Sequence, residues 1–401
     1  MEHVIIVGAG QAGSSCAFKL RNLGFTGEIT LIGAEDAPPY QRPPLSKKYL
    51  LGEMELERLY LRPQDLYAAE KITLRTRTEV SKIDASSKQV FLGNDALNYT
   101  DLVLTTGSFP NRLPSAIGGD LAGVFTVRDL NDVDAMAPEF KAGARVLIVG
   151  GGYIGLEAAA VAAAKGLKVI VVEMSERILQ RVASPQTSDY FRALHEGHGV
   201  EIKEGLGLAS LQGEGRVAQA VLSDDTIIDV DFVIVGIGIK PATSLAEAAG
   251  LQIENGIKTD AQGRTSDQNI WAAGDCASFP YQGQRIRLES VPNAIEQAEC
   301  VAENIMGANK DYVAKPWFWS DQYDVKLQIA GLNTGYDQVV SRIGDGATAS
   351  FWYYRDGQLI AVDAANDARG YMIGKRMIEN GQTPDPAPIS DPATDLKSLL
   401  A

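Results

Sequence analysis

The sequence predicts an α/β fold with two Rossmann-type dinucleotide-binding domains and a small α+β domain at the C-terminal end. Three observations predict it. A β-branched strand, a glycine turn and a helix open the chain, and the same device returns 142 residues later. Each copy is followed by short alternating runs and a closing apolar strand. From about residue 313 the composition turns aromatic and strand-like.

The first device is "HVIIVGAGQAGSSCAFKLRNLG", followed by the strand "EITLIG", with Gly8, Gly10 and Gly13 in G-x-G-x-x-G spacing. Gly8 permits the tight turn, Gly10 lets the backbone approach a pyrophosphate, and Gly13 lets helix and strand pack closely; Ala12 lies inside the same fingerprint. The phosphates would meet N–H groups at the helix N-terminus. Gly33 and Ala34 occupy the usual place of the ribose-binding acid, so Glu35, slightly late, is the candidate.

The second device, "ARVLIVGGGYIGLEAAAVAAAKGLKVIVVE", is the more regular one. It carries Gly150, Gly152 and Gly155, with Tyr153 and Ile154 between the last two. Its second strand ends at Glu173, 23 residues after Gly150, close to the ~20 expected of a carboxylate accepting from a ribose 2′-OH. A 2′-phosphate would be repelled there, with Arg177 as a nearby counterweight. The alanines of residues 156–164 need only mean tight helix packing, but that does not account for Glu157. Two such devices imply two dinucleotides, and hydride chemistry between two dinucleotides suggests a nicotinamide reducing a flavin.

Between the devices, "KITLRTRTEVSKIDASSKQVFL" reads as an antiparallel ribbon and "YTDLVLTTGSFPNR" as a buried strand ending in a turn at Gly107. The second half repeats this succession and ends in "VGIGIKP", with Gly238 at the matching turn. "WAAGDCASFP" is a short strand ending at Gly274 and Asp275; Asp275 suits a sugar hydroxyl, and equally a plain turn. Val291 opens a helix of apolar residues at helical spacing, a further helix falls at 366–380, and the Pro-rich end reads as an extended strap.

The net charge of −14 disfavours nucleic acid, and no apolar run reaches the ~20 residues of a membrane span. The strand begins at once, without room for a leader, so a cytoplasmic protein is expected. Cys16, Cys276 and Cys300 are scattered, with no C-x-x-C pair. His195 and His198 lack a third ligand and are expected to be solvated helix-end residues, so no metal site is expected.

The ordered stretches "GAGQAG", "PYQRPPLSK", "TTGSFPNR", "VGGGYIGLEAA", "VGIGIKP", "WAAGDCA", "LESVPNAIEQA" and "PWFWSDQY" run through nearly the whole chain. In them the sequence resembles flavoprotein reductases of the putidaredoxin reductase, rhodocoxin reductase and biphenyl dioxygenase ferredoxin reductase type. "RPPLSK" and "LESVPNA" are the specific elements; the glycine fingerprints are shared by many flavin reductases. The resemblance implies a glutathione-reductase-like arrangement: an FAD domain over 1–111 and 241–312, an NAD domain over 112–240 and a C-terminal domain over 313–401. It implies FAD and NADH as cofactors, and a [2Fe–2S] ferredoxin as acceptor that serves a cytochrome P450 or a Rieske oxygenase.

Carried onto this chain, the resemblance puts Arg42 and Lys47 of "RPPLSK" against the flavin, with the prolines fixing the loop. Lys47 would pair with Glu157, which would also face the nicotinamide carboxamide. Arg128 would serve the FAD phosphates or ribityl, Asp275 the ribityl hydroxyls and Val80 the adenine edge through its backbone. The helix N-terminus at Val291 would point at the flavin N1–C2 carbonyl. Trp319 would lie near the flavin and the ferredoxin, though an aromatic in "PWFWSDQY" serves equally as core. Disulfide reductases of this fold need a cysteine pair, and its NADH oxidases and peroxidases use a cysteine where this loop has Ser46. A rubredoxin reductase or NADH oxidase, and a redox-sensing flavoprotein of the apoptosis-inducing-factor kind, are the alternatives. Because small ferredoxins are usually acidic, as this chain is, a local docking patch is expected, with Lys48, Arg285 or Arg287 as candidates.

Overall fold

A computed structural model of the chain describes residues 2–400, which divide into two compact units. Among the described residues the first comprises 2–41, 56–109 and 239–316; the second comprises 42–55, 110–238 and 317–400.

In the first unit, β-branched runs build a five-stranded sheet in the order Ile270–Ala272, Asp101–Leu104, His3–Val7, Glu28–Ile32, Ile72–Arg75, with all four pairings parallel. Such strands are buried on both faces, so they read as continuous apolar runs. Helices Gln11–Asn22 and Val291–Ile305 cover one face through Cys16, Leu20, Ala298 and Val301. The expected antiparallel ribbon between the two devices is only half there. Ile72–Arg75 joins the parallel sheet as its edge, and the ribbon is the smaller sheet Lys82–Asp84, Gln89–Leu92, Asp95–Asn98. Alternation alone does not distinguish a half-covered parallel edge from a ribbon strand.

The second unit repeats the plan with the order Glu201–Glu204, Lys168–Glu173, Arg145–Val149, Phe232–Val235, Val124–Phe125, again all parallel. Helix Tyr153–Ala164 is buried nearly all round, with Leu156, Ala158, Ala159 and Ala162 fully so. This is why it is built from small residues. The unit also contains an antiparallel five-stranded sheet, ordered Trp317–Gln322, Val325–Gly331, Gln358–Ala365, Ala349–Arg355, Gln338–Ile343. Leu156, Ile178 and Phe191 share one core with Val325, Leu327 and Ile329. Helix Ala368–Asn380 lies where it was expected, whereas the Pro-rich end contains short helices Pro386–Ser390 and Leu396–Leu399, anchored by buried Ile389 and Leu396.

Candidate functional site

In the first unit, the candidates gather at the carboxyl ends of four adjacent parallel strands, where open α/β sheets bind ligands. His3–Val7 runs into Gly8, Glu28–Ile32 leads to Glu35, Asp101–Leu104 leads to Gly107, and Ile270–Ala272 leads to Gly274 and Asp275. Gly8 has φ +114°, and a Cβ there would collide with the Thr105 carbonyl; one on Gly13 would collide with the Gly8 carbonyl. At Gly10 nothing lies within 4 Å of the Cβ position. The outer two glycines therefore serve chain packing, and the middle one leaves open backbone beside the helix N-terminus. No acid occupies the first turn of Gln11–Asn22, so nothing there repels a phosphate.

Around this cradle, buried Ala12 lies beneath Gly274, whose Cβ position is 3.1 Å from the Ala12 Cβ. Half-buried Glu35 accepts from the Tyr40 hydroxyl, and Asp275 Oδ2 accepts from Ser108 Oγ at 2.9 Å. Val80 is buried among Val7 and Ile32. Helix Val291–Ile305 is capped by Ser290, carries proline in its first turn and has no acid there. Two of the expected docking cations are committed elsewhere. Arg285 donates to Thr259 O at 2.8 Å, and Arg287 donates to Asp275 O at 3.1 Å and pairs with Glu289 at 2.6 Å. Lys48 of the second unit is exposed.

The second unit follows the same rule. A Cβ at Gly150 would collide with Gly236 O and one at Gly155 with Gly150 O, while nothing lies within 4 Å of the position at Gly152. Glu173 turns back to this loop: Oε2 accepts from Gly151 N and Oε1 from Ser175 N, both at 2.8 Å. Each oxygen retains a lone pair for a ribose hydroxyl. Arg177, the possible counterweight, is engaged by Ser188 Oγ at 2.5 Å and Ala183 O at 2.9 Å. Tyr153 packs its ring on Phe318, with centroids 5.2 Å apart, and buries its hydroxyl, so its side chain is committed to the protein's interior. Ile154, Met174 and Ile237 stay exposed at the ends of these loops. Met174 and Ile237 escaped the sequence reading because an apolar residue after a strand carries no signal of its own. Gly238, with φ +93°, accepts from Asn111 N at 2.9 Å.

The "RPPLSK" loop also belongs to this unit. Pro43–Ser46 form a tight helical turn that leads directly to Lys47. Lys47 Nζ meets Glu157 Oε2 at 2.8 Å and Pro43 O at 3.3 Å. Glu157, on Tyr153–Ala164, is 5% exposed and accepts two further hydrogen bonds, from Ser46 Oγ to Oε2 and from Ser320 Oγ to Oε1, both 2.7 Å. A carboxylate this deeply buried is tolerable because a cation and two hydroxyls face it. Neither serine was anticipated as a ligand of Glu157, since each lies more than 100 residues from it. Half-buried Arg42 donates to Arg128 O at 2.8 Å. Half-buried Trp319 lies 5.8 Å from Trp317, ring to ring.

All three cysteines are free and buried. Burial pushes the Cys16 thiol up to about 12 and raises those of Cys276 and Cys300, so none is a nucleophile. His195 is fully buried, contrary to the expectation of a solvated helix end; the antiparallel sheet supplies Gln322 and Tyr323 as its partners. Among the described residues no group of three metal-ligating side chains occurs, and no helix is long and apolar enough to cross a membrane.

Residues 2–298 match the family of pyridine nucleotide-disulphide oxidoreductases, and residues 317–400 match the reductase C-terminal family. A ferredoxin–NAD(P)+ reductase of Sphingomonas sp. is 44% identical over 99% of this chain and 97% of its own length. The structure of a covalent putidaredoxin reductase–putidaredoxin complex superposes with a TM-score of 0.96 at 38% identity, covering 100% of this chain and 98% of that one. The ferredoxin reductase for the CYP199A2 system of Rhodopseudomonas palustris gives 0.95 at 39% identity, with 100% of both chains covered.

Proposed function

Because the chain belongs to the pyridine nucleotide-disulphide oxidoreductase family, in its ferredoxin reductase branch, we propose that it oxidises NADH and passes the electrons through FAD, one at a time, to a [2Fe–2S] ferredoxin. That ferredoxin serves a cytochrome P450 or a Rieske oxygenase. The observation that carries the reading is a pair of open glycine cradles in a chain whose three cysteines are unpaired and buried. With no thiol relay inside, the electrons must leave for an external acceptor.

FAD, when bound, supplies the exchange between a two-electron donor and a one-electron acceptor. The protein supplies position and charge. Gly8, Gly10 and Gly13 would hold the FAD pyrophosphate, Glu35 the ribose, Val80 the adenine edge, Asp275 the ribityl chain, and the helix opening at Val291 the negative end of the ring. Gly150, Gly152 and Gly155 would hold the NADH pyrophosphate. Glu173, with Arg177 otherwise engaged, would take the ribose 2′-OH and repel a 2′-phosphate. Lys47 would place positive charge beside the flavin, Glu157 would orient the carboxamide, and Arg42, Arg128 and Trp319 would complete the surroundings. The same reading divides the chain into the FAD, NAD and C-terminal domains set out from the sequence, and puts the protein in the cytoplasm.

The test is steady-state reduction of cytochrome c by NADH with purified flavoprotein, with and without added [2Fe–2S] ferredoxin. Turnover that depends on the ferredoxin is expected. Equal turnover without any carrier, or with rubredoxin alone, overturns the assignment.

A further inference from the structure

Beyond Lys47, Ser46 and Glu157, the second unit contains a run of polar side chains that none of the assigned roles uses. Ser320 Oγ is 2.7 Å from Glu157 Oε1, and Gln322 Nε2 is 3.1 Å from Ser320 Oγ. His195 Nε2 is 2.8 Å from Gln322 Oε1, and Tyr323 Oη is 3.0 Å from His195 Nδ1. Ser320, Gln322 and His195 are wholly buried, and Tyr323 brings the run to the surface, stacked on exposed His198 with centroids 3.7 Å apart. Tyr323 also holds φ +55°, an unfavourable backbone for an aromatic residue. A solvent-facing hairpin turn has no need of such a residue, whereas a fixed hydroxyl does.

The direction of each hydrogen bond follows from the anion at one end. The Glu157 carboxylate, paired with the Lys47 ammonium at 2.8 Å, is the acceptor, so Ser320 donates to it. Ser320 then has no proton left for Gln322, which must present its NH₂ to Ser320 and its carbonyl to His195. Hence His195 carries its proton on Nε2, leaves Nδ1 as an acceptor, and takes the hydroxyl proton of Tyr323. Burial depresses the His195 pKa to about 4, which leaves Nδ1 free to accept at neutral pH. Four successive donors thus point the same way, and each polarises the next.

We propose that Tyr323, His195, Gln322 and Ser320 form a directional array of positioning residues that fixes the Glu157 carboxylate against Lys47 for NADH oxidation. The inference rests on the proposed role of Glu157 toward the nicotinamide. The array does not conduct protons, because the Gln322 carboxamide cannot pass one on without tautomerising. It acts by holding Glu157 in one rotamer and supplying the donor on the side away from Lys47. Strand Trp317–Gln322 thereby carries Trp319 on one face and the support of Glu157, through Ser320 and Gln322, on the other.

Two measurements on the FAD-loaded protein test this. Long-range ¹H–¹⁵N spectra of histidine-labelled protein, assigned with His195→Phe, are expected to show His195 as the Nε2–H tautomer; the Nδ1–H form overturns the proposal. Stopped-flow flavin reduction by NADH is then compared for wild type, Ser320→Ala, Ser320→Thr and Glu157→Gln. Ser320→Ala is expected to lower the limiting rate about tenfold, the loss of one charge-assisted hydrogen bond, with the NADH dissociation constant changed less than about threefold. Ser320→Thr restores the rate to within about twofold, because it returns the hydroxyl. If Glu157→Gln is slow while Ser320→Ala matches wild type, the array is refuted and the role of Glu157 stands. If Glu157→Gln is also as fast as wild type, both fall.

Discussion

The most exacting prediction concerns Lys47→Met. Lys47 and Glu157 are 2.8 Å apart, with side chains only 14% and 6% exposed, so removing the ammonium leaves a carboxylate facing an uncharged thioether with little access to water. Breaking a buried pair on one side costs about 3–5 kcal/mol. Here Ser46 and Ser320 continue to donate to the carboxylate, which puts the cost at the lower end, about 3 kcal/mol. In a unit of this size that lowers the melting transition by about 6–12 °C. The double variant Lys47→Met/Glu157→Gln removes both charges and should return to within about 1 kcal/mol of wild type, a coupling of at least about 2 kcal/mol plus whatever Glu157→Gln costs alone. Differential scanning calorimetry of the wild type, the two singles and the double, all FAD-loaded and at one pH, gives the cycle. Lys47→Met melting with the wild type, or a double variant melting no higher than Lys47→Met, would refute the claim that the two residues form a buried, mutually compensating pair.

The two roles of the first fingerprint separate by substitution. Gly10→Val, at a position with open space, should leave the apo-protein's melting unchanged and abolish the yellow flavin spectrum, whereas Gly13→Ala drives a methyl into the Gly8 carbonyl and should cost about 1–3 kcal/mol of stability. Glu173→Gln removes the charge that a 2′-phosphate would meet, so the preference for NADH over NADPH in kcat/KM should fall about tenfold; an unchanged ratio assigns selectivity elsewhere. Buried Asp363 gives the pH dependence. Burial raises its carboxyl to about 7, above its ordinary value, although the Tyr353 and Thr187 hydroxyls donate to it. A group with a raised folded-state pKa stabilises fully below its unfolded value and loses that contribution as pH climbs through the folded one. The melting temperature of wild type relative to Asp363→Asn should therefore fall between about pH 4 and 7 and level off above, and a flat difference across that window removes the argument.

The parts of this molecule that were legible in advance are those whose physics is local. A glycine fingerprint compresses turn, phosphate approach and helix packing into six residues, and the acid closing the βαβ unit follows at a fixed distance, so Gly150 and Glu173 announce each other. The Lys47–Glu157 pair spans 110 positions and came from the likeness of whole segments, since no spacing rule reaches that far. The support of Glu157 was invisible for a different reason. In "WFWSDQ" both faces of the strand mix aromatic and polar side chains, Trp317, Trp319 and Asp321 against Phe318, Ser320 and Gln322, so period-two alternation does not tell which face is buried. Glu157, contributed by helix Tyr153–Ala164, makes the buried serine tolerable on that face, and Ser320 and His195 do the same for Gln322. The same holds for His195: a histidine in the last turn of a helix is ordinarily solvated, and this one is drawn into the core because Gln322 and Tyr323 offer an acceptor and a donor at its two nitrogens. Its tautomer is decided by a carboxylate it never touches, so the arrangement becomes readable only once the anion at the far end has been located.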